Sequence, residues 1–184
     1  VPDDLDTPPA SLASEDRWIL AEFQNTMHTV ESSWSNLDIY TATQALKTFG
    51  TGLLPSHYLE MVKSRLYDDD EAAAWTLHRI VRDFMAAFSP VCPFFTHHIS
   101  STVYGTSSVD VDAFPSAPLT DVAFGTDEGG RLCGLSHALQ EFNGQTWAKK
   151  KEAGISLNQP IAGLSIPDEL TEFTATLTRM HQLE

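Results

Sequence analysis

Residues 14–34 read SEDRWILAEFQNTMHTVESSW, and this run decides the fold class. Ile19, Phe23, Met27, Val30 and Trp34 recur at steps of four, four, three and four. That spacing puts all five on one face of a helix turning once every 3.6 residues. Ser14 stands ahead of Glu15 and Asp16 and reads as an N-cap, with acids against the positive end of the helix dipole. Before it, residues 1–13 carry Pro2, Pro8 and Pro9 with little apolar mass and read as an extended lead-in.

The same periodicity continues toward the C-terminus. Asn36-Leu37-Asp38 makes a turn and a new cap. Ile39, Ala42, Leu46, Phe49 and Leu53 follow at steps of three or four. Gly50, Gly52 and Pro55 predict a kink or break in this second helix, which resumes through Tyr58, Met61 and Val62. Asp68 to Glu71 place acids at the start of a third helix striped by Leu77, Val81, Phe84 and Phe88. Ser89-Pro90 is a stop and restart, with Pro90 at a first helical position. Phe95, Ile99 and Val103 mark a fourth helix ending at Gly105. Phe84, Phe88, Phe94 and Phe95 are expected in the core. The expected organisation is a mainly α chain: lead-in 1–13, antiparallel four-helix bundle 14–105, linker 106–129, and a small α/β extension 130–184. The extension comprises a helix through Leu132, Leu139 and Phe142, a short strand at 161–166, and a last helix opened by Pro167.

Composition bounds the function. Of 184 residues, 25 are Asp or Glu and 11 are Lys or Arg, giving a net charge of −14. A nucleic-acid binder needs cations for phosphate, so such a balance implies either no nucleic acid or a surface acidic for another reason. Acids spread along the whole chain suit a high-salt cytoplasm, where strong charge maintains solubility. No apolar run is long enough to span a membrane, and the acidic, proline-containing start is not a signal peptide. The lack of an initiator Met, and a C-terminus directly after a helical pattern, are read as cut ends, with Leu183-Glu184 readable as a cloning scar. Cys92 and Cys133 are expected as reduced, buried thiols.

Motifs for phosphate-cradling loops, dinucleotide binding, zinc proteolysis and serine hydrolysis are absent from the sequence. The Gly125–Gly130 stretch is flanked by acids, which repel phosphate. His97 and His98 point about 100° apart on a helix and do not share a metal. Glu60 and Asp83 are expected to pair with Lys63 and Arg79 as structural groups. The chemistry left is recognition rather than catalysis, with no metal site.

Five runs in register resemble the anticodon-binding region of class I aminoacyl-tRNA synthetases, the valyl enzymes of archaeal type above all. Asp16-Arg17-Trp18-Ile19-Leu20 resembles the D-R-W-I-L that opens their bundle. Tyr58-Leu59-Glu60-Met61-Val62-Lys63-Ser64-Arg65-Leu66-Tyr67 is similar to their Y-(I/L)-E-x-x-K-x-R-L-Y. Ser89-Pro90-Val91-Cys92-Pro93-Phe94-Phe95-Thr96 is similar to H-P-x-x-P-F-(I/L)-(T/S), and Ala113-Phe114-Pro115 stands where they have x-W-P. Lys149 to Pro160 resembles R-x-x-K-x-x-x-G-L-S-L-N-x-P. The chain departs from the family at His97 and His98, where two Glu are usual, and at Gly52 to His57, where W-x-D-F-C-x-x is common.

The resemblance implies a tRNA anticodon-recognition domain whose full-length parent ligates valine to its tRNA using ATP and magnesium. The nucleotide-binding H-I-G-H and K-M-S-K-S signatures are missing, so no cofactor and no catalytic residue is expected in this chain. Its implied partners are a valine-specific tRNA and the catalytic and editing domains of the same polypeptide, in a monomeric, cytoplasmic protein. The isoleucyl counterpart and a helical protein-interaction domain without an RNA role remain as alternatives. Anticodon readers splay unpaired bases against aromatic and basic groups. The candidate tRNA-binding residues are therefore Arg17, Trp18, Lys63, Arg65, Tyr67 and the basic cluster Lys149, Lys150 and Lys151. Each has a bland counterpart: Trp18 as core, the cations as complements of helix C-termini.

Overall fold

Asp38 and Asp70 each turn a carboxylate onto the third backbone N–H beyond them, Thr41 at 3.0 Å and Ala73 at 2.9 Å. These caps fix where two of the helices begin. The structure is a computed structural model that describes residues 1–106 and 126–183. The elements are α1 (Ser14–Ser35), α2 (Ile39–Thr48), α3 (Leu59–Tyr67), α4 (Glu71–Phe88), α5 (Pro93–Tyr104), α6 (Thr126–Gly134), α7 (Ser136–Glu152) and α8 (Thr174–His181). A π-helical segment, Phe49–Tyr58, joins α2 to α3, and a 3₁₀ turn, Asp168–Phe173, precedes α8. The chain is mainly α, as the periodicity predicts.

The expected kink at Gly50, Gly52 and Pro55 takes the form of that wide-turn segment. Pro55 has no N–H for the helical ladder, and the Thr51 hydroxyl donates to the Lys47 carbonyl at 2.8 Å. Gly50 lets the backbone close on α4: a Cβ there would stand 2.8 Å from Phe84 Cζ. A π-helical turn rotates the side chains that follow it, which is why such segments gather at functional sites. Here it directs Tyr58 into the core and leaves its neighbour His57 half-buried.

One apolar cluster runs through the chain. Trp18, Ile19 and Phe23 of α1 meet Leu46, Phe49, Met61, Val62 and Ile80, and the same cluster includes Leu132, Leu139, Phe142, Leu170, Phe173 and Leu177. The C-terminal segment therefore shares the bundle's core. The lead-in is anchored as well, with Arg79 donating to the Leu5 carbonyl at 2.9 Å and Arg82 to Asp6 at 2.8 Å.

Several expectations need correction. The helix cap is Ala13, with Ser14 the first helical residue, and the Ala13 N–H is taken by Asp16 at 3.3 Å. Pro93, not Pro90, opens α5. The extension is not α/β among the described residues: the 161–166 strand is reduced to one parallel bridge, Ile161 to Leu183. Two residues joined once cannot form a ladder. Helix α6 already runs from Thr126, inside the stretch expected as linker. The rest of that linker, with Ala113-Phe114-Pro115, lies outside the described residues. Phe84 and Phe88 pack on the core, but Phe94 is 91% exposed and Phe95 55%. Helix α5 rests chiefly on α4 and buries Thr96 and Ser100 there, so its two phenylalanines face outward. Cys92 and Cys133 are free and half-buried rather than buried.

Candidate nucleic-acid interface

The candidate cations divide by burial. Arg65 lies on the α3 face that carries Met61 and Val62, and it points inward. Its guanidinium donates to Glu15 at 3.0 Å, to both oxygens of Asp16 at 3.0 and 2.7 Å, and to both oxygens of Asp70 at 3.0 and 3.1 Å. Tyr58 completes the group by donating its hydroxyl to Asp16 at 2.9 Å. Burial pushes the Asp16 carboxyl above its ordinary value, against the pull of Arg65. With its donors committed to three carboxylates, Arg65 is a structural centre.

Lys150 is also inside, at 0% exposure. Its ammonium donates to the carbonyls of Leu157 at 2.6 Å, Gln159 at 2.8 Å and His181 at 2.8 Å. Burial pulls its pKa down. Those three bonds exhaust its donors and tie the Gly154–Pro160 turn to the end of α8. Its neighbours Lys149 and Lys151 are exposed and make no salt bridge to a described residue.

Of the other candidates, Trp18 is fully buried and donates to Ser136 at 2.7 Å. Arg17 is half-buried and paired with Glu128. Lys63 is exposed and loosely paired with Glu60 at 3.5 Å, and Tyr67 is 80% exposed. The expected structural pairs are present, Glu60 with Lys63 and Asp83 with Arg79 at 2.7 Å.

A groove of about 600 Å³ with a mixed polar and apolar lining opens between α1, α2, the π-helical segment and α7. That size falls in the range of small-molecule clefts, roughly 300–1,000 Å³. Asn25, Thr29, Tyr40, Gln44, Ser56, His57 and Gln140 line it, and the charged group in its lining is Glu22. The side-chain amides of Asn25, Gln44 and Gln140 make no hydrogen bond to a described residue. Tyr40 is 74% exposed at the rim. Hydroxyls, amides, an imidazole and an aromatic ring without a cation suit the edge and face of an uncharged heterocycle. Sequence reading missed these residues because none forms a motif. The available signal was Tyr40, an aromatic off the apolar face of α2. Along α7 the same face leads from Gln140 through Trp147 to Lys151, roughly 16 Å on.

A profile of the family described as the anticodon-binding domain of tRNA ligase matches residues 16–165. The chain belongs to this family of tRNA-ligase anticodon-binding domains. Valine–tRNA ligase of Saccharolobus solfataricus is 30% identical over 155 residues, which cover 84% of the chain and 18% of that protein. The enzyme of Methanothrix thermoacetophila is 31% identical over 159 residues, 84% of the chain and 17% of its own length. That of Aeropyrum pernix is 28% identical over 185 aligned positions, 95% and 22%. The chain thus spans about a fifth of the length of these relatives.

In this anticodon-binding domain a buried polar chain links the groove to Lys150. Asn143 donates its amide to His57 Nδ1 at 3.1 Å and accepts from His181 Nε2 at 2.8 Å. Burial first, and the Lys150 charge second, push His181 down to about 4 from 6.5. A depressed histidine pKa means that the fold favours the neutral ring. Its contribution is complete above pH 6.5 and is lost as pH falls toward 4, on the order of 3 kcal/mol. Urea midpoints should be level from pH 8 to 7 and drop between 6.5 and 4. His181→Gln should flatten that drop, and an equal drop in the variant would refute the assignment.

Proposed function

We propose that the chain reads the anticodon of a valine tRNA as one domain of a valine–tRNA ligase. Family membership over residues 16–165 carries this reading, and valine comes from the relatives, whose names specify it. The groove takes unpaired base edges, with Tyr40 at its rim for stacking. Lys151 meets backbone phosphate beyond it on the same face of α7, Lys149 meets phosphate from the opposite face, and Lys63 and Tyr67 form a second, weaker contact. Arg65, Lys150 and Trp18 act through the fold, and Arg17 through its pairing with Glu128. ATP and magnesium serve the ligase elsewhere, with no step routed through these residues. A high-salt cytoplasm fits both the −14 charge and a base-reading groove lined without a Lys or Arg.

The test is a titration into valine tRNA and into the same tRNA with an altered anticodon, at several potassium chloride concentrations. Preference for the unaltered tRNA is expected. Lys149→Ala with Lys151→Ala should weaken binding to both and reduce the salt slope by about 1.4, since each single-stranded phosphate contact contributes about 0.7. Equal binding to both tRNAs would defeat the reading. A second reading, a helical protein-docking domain, is favoured by the exposed Phe94 and Phe95 on α5. It would gain if the folded chain bound neither tRNA.

A further inference from the structure

His57 lines the groove, and its hydrogen-bonding sense is dictated from behind. Asn143 is fully buried, and both ends of its amide are engaged. Its oxygen can only accept, so His181 Nε2 carries a hydrogen. Its nitrogen can only donate, so His57 Nδ1 carries none. A neutral imidazole with a bare Nδ1 has its hydrogen on Nε2, at the opposite side of the ring. Burial lowers the His57 pKa, which favours this neutral form. The ring plane is fixed as well, with Trp147 centred 5.6 Å from it and tilted by 36°. His57 Nε2 has no partner among the described residues, and the ring lines the groove.

We infer that His57 is a specificity-determining donor, held as its Nε2–H tautomer by Asn143, which selects an unpaired base offering a bare ring nitrogen. On the pairing edge of a base, adenine N1 and cytosine N3 accept a hydrogen bond. Guanine N1 and uracil N3 carry hydrogens and would meet the His57 hydrogen head-on. With the base held in register, so that its ring nitrogen faces His57, the groove therefore favours adenine or cytosine at one anticodon position over guanine and uracil, which reach the His57 hydrogen only by a shift to a carbonyl oxygen. Asn143, His181 and Trp147 are positioning residues, because each acts only through His57. The inference rests on the anticodon-reading proposal and adds to it a chemical class of base and the group that selects it.

The experiment has an arm without RNA. Nitrogen-15 spectra of the folded protein at pH 7.5 should show His57 protonated at Nε2 and bare at Nδ1. A bare Nε2, or rapid exchange between tautomers, overturns the inference. The second arm measures binding of anticodon stem-loops carrying each of the four bases at each anticodon position. Wild type should prefer adenine or cytosine at one position by roughly tenfold, the worth of one well-made hydrogen bond with its mismatch penalty. His57→Leu should abolish that preference, and His57→Gln, whose amide can still donate, should restore part of it. Asn143→Asp offers only acceptors, so it should move the His57 hydrogen to Nδ1, leave Nε2 as an acceptor and turn the preference toward guanine or uracil. If it fails to fold, the His57 pair decides alone. If wild type distinguishes anticodons but His57→Leu distinguishes them equally well, the inference falls and the anticodon reading stands. If wild type distinguishes none, both fall.

Discussion

Arg65→Met should lower the unfolding free energy by roughly 3–5 kcal/mol, the usual consequence of removing one partner from a buried ion group. For a chain of this size that corresponds to a fall in Tm on the order of 10 °C. The substitution keeps the volume and the methylene stem but removes the cation shared by Glu15, Asp16 and Asp70. Asp16, at 0% exposure, would retain only the Tyr58 hydroxyl and the Ala13 N–H. Its carboxyl already sits above its ordinary value with Arg65 present, so without Arg65 it would take up a proton or open the α1–α3 contact. Asp16→Asn in the Arg65→Met background should recover a large part of the loss, because the uncompensated charge disappears. Arg65→Lys should recover only some of it, since an ammonium cannot fork across two carboxylates. Urea unfolding of the four proteins measures all of this. A loss below about 1 kcal/mol for Arg65→Met, the value of a solvent-exposed pair, would contradict the burial argument and return Arg65 to the RNA-facing surface.

The helices and their faces were legible because a period of 3.6 leaves its mark on apolar residues, and the Asn36-Leu37-Asp38 turn announced the cap of α2, whereas Asp70 was read only as one of the acids that open α4. The inward cations were legible in principle. Arg65 follows Met61 and Val62 at steps of four and three, and Lys150 follows Thr146 by four on the stripe that buries Phe142. Both belong to core faces by spacing, but charge led the reading toward phosphate. The break at Gly50, Gly52 and Pro55 was legible, but the close approach of Gly50 to Phe84 was not, because Phe84 belongs to another helix. The groove left little trace beyond Tyr40, because its residues come from four elements that single-chain spacing does not bring together. Phe94 and Phe95 were misplaced for a related reason: apolar residues at helical spacing imply a neighbour, and the sequence does not say which neighbour.

Lys150→Met should be nearly as damaging as the Arg65 change, about 3 kcal/mol, but with a local signature. The Lys150 ammonium has the Leu157, Gln159 and His181 carbonyls within 2.8 Å. It therefore holds the end of α7, the turn after it and the end of α8 at one point. Methionine fills the same space and offers none of the three hydrogen bonds. The His181 carbonyl is the most deeply buried of the acceptors and bears most of the penalty. The bridge between Ile161 and Leu183 joins the same two segments, so its amide hydrogens should exchange faster, while those of α1 and α4 keep their wild-type rates. Removing Lys150 also lifts the nearby charge that helps keep His181 neutral. The acid drop in stability should consequently shift to lower amplitude in this variant. RNA binding separates the two roles of the basic cluster. Lys149→Ala and Lys151→Ala should leave stability within about 0.5 kcal/mol and weaken phosphate contact, whereas Lys150→Met should weaken binding only as far as it unfolds the C-terminal segment. If Lys150→Met binds tRNA poorly while its amide exchange and urea midpoint match wild type, Lys150 turns outward in the complex and the inward bonds belong to the free protein alone.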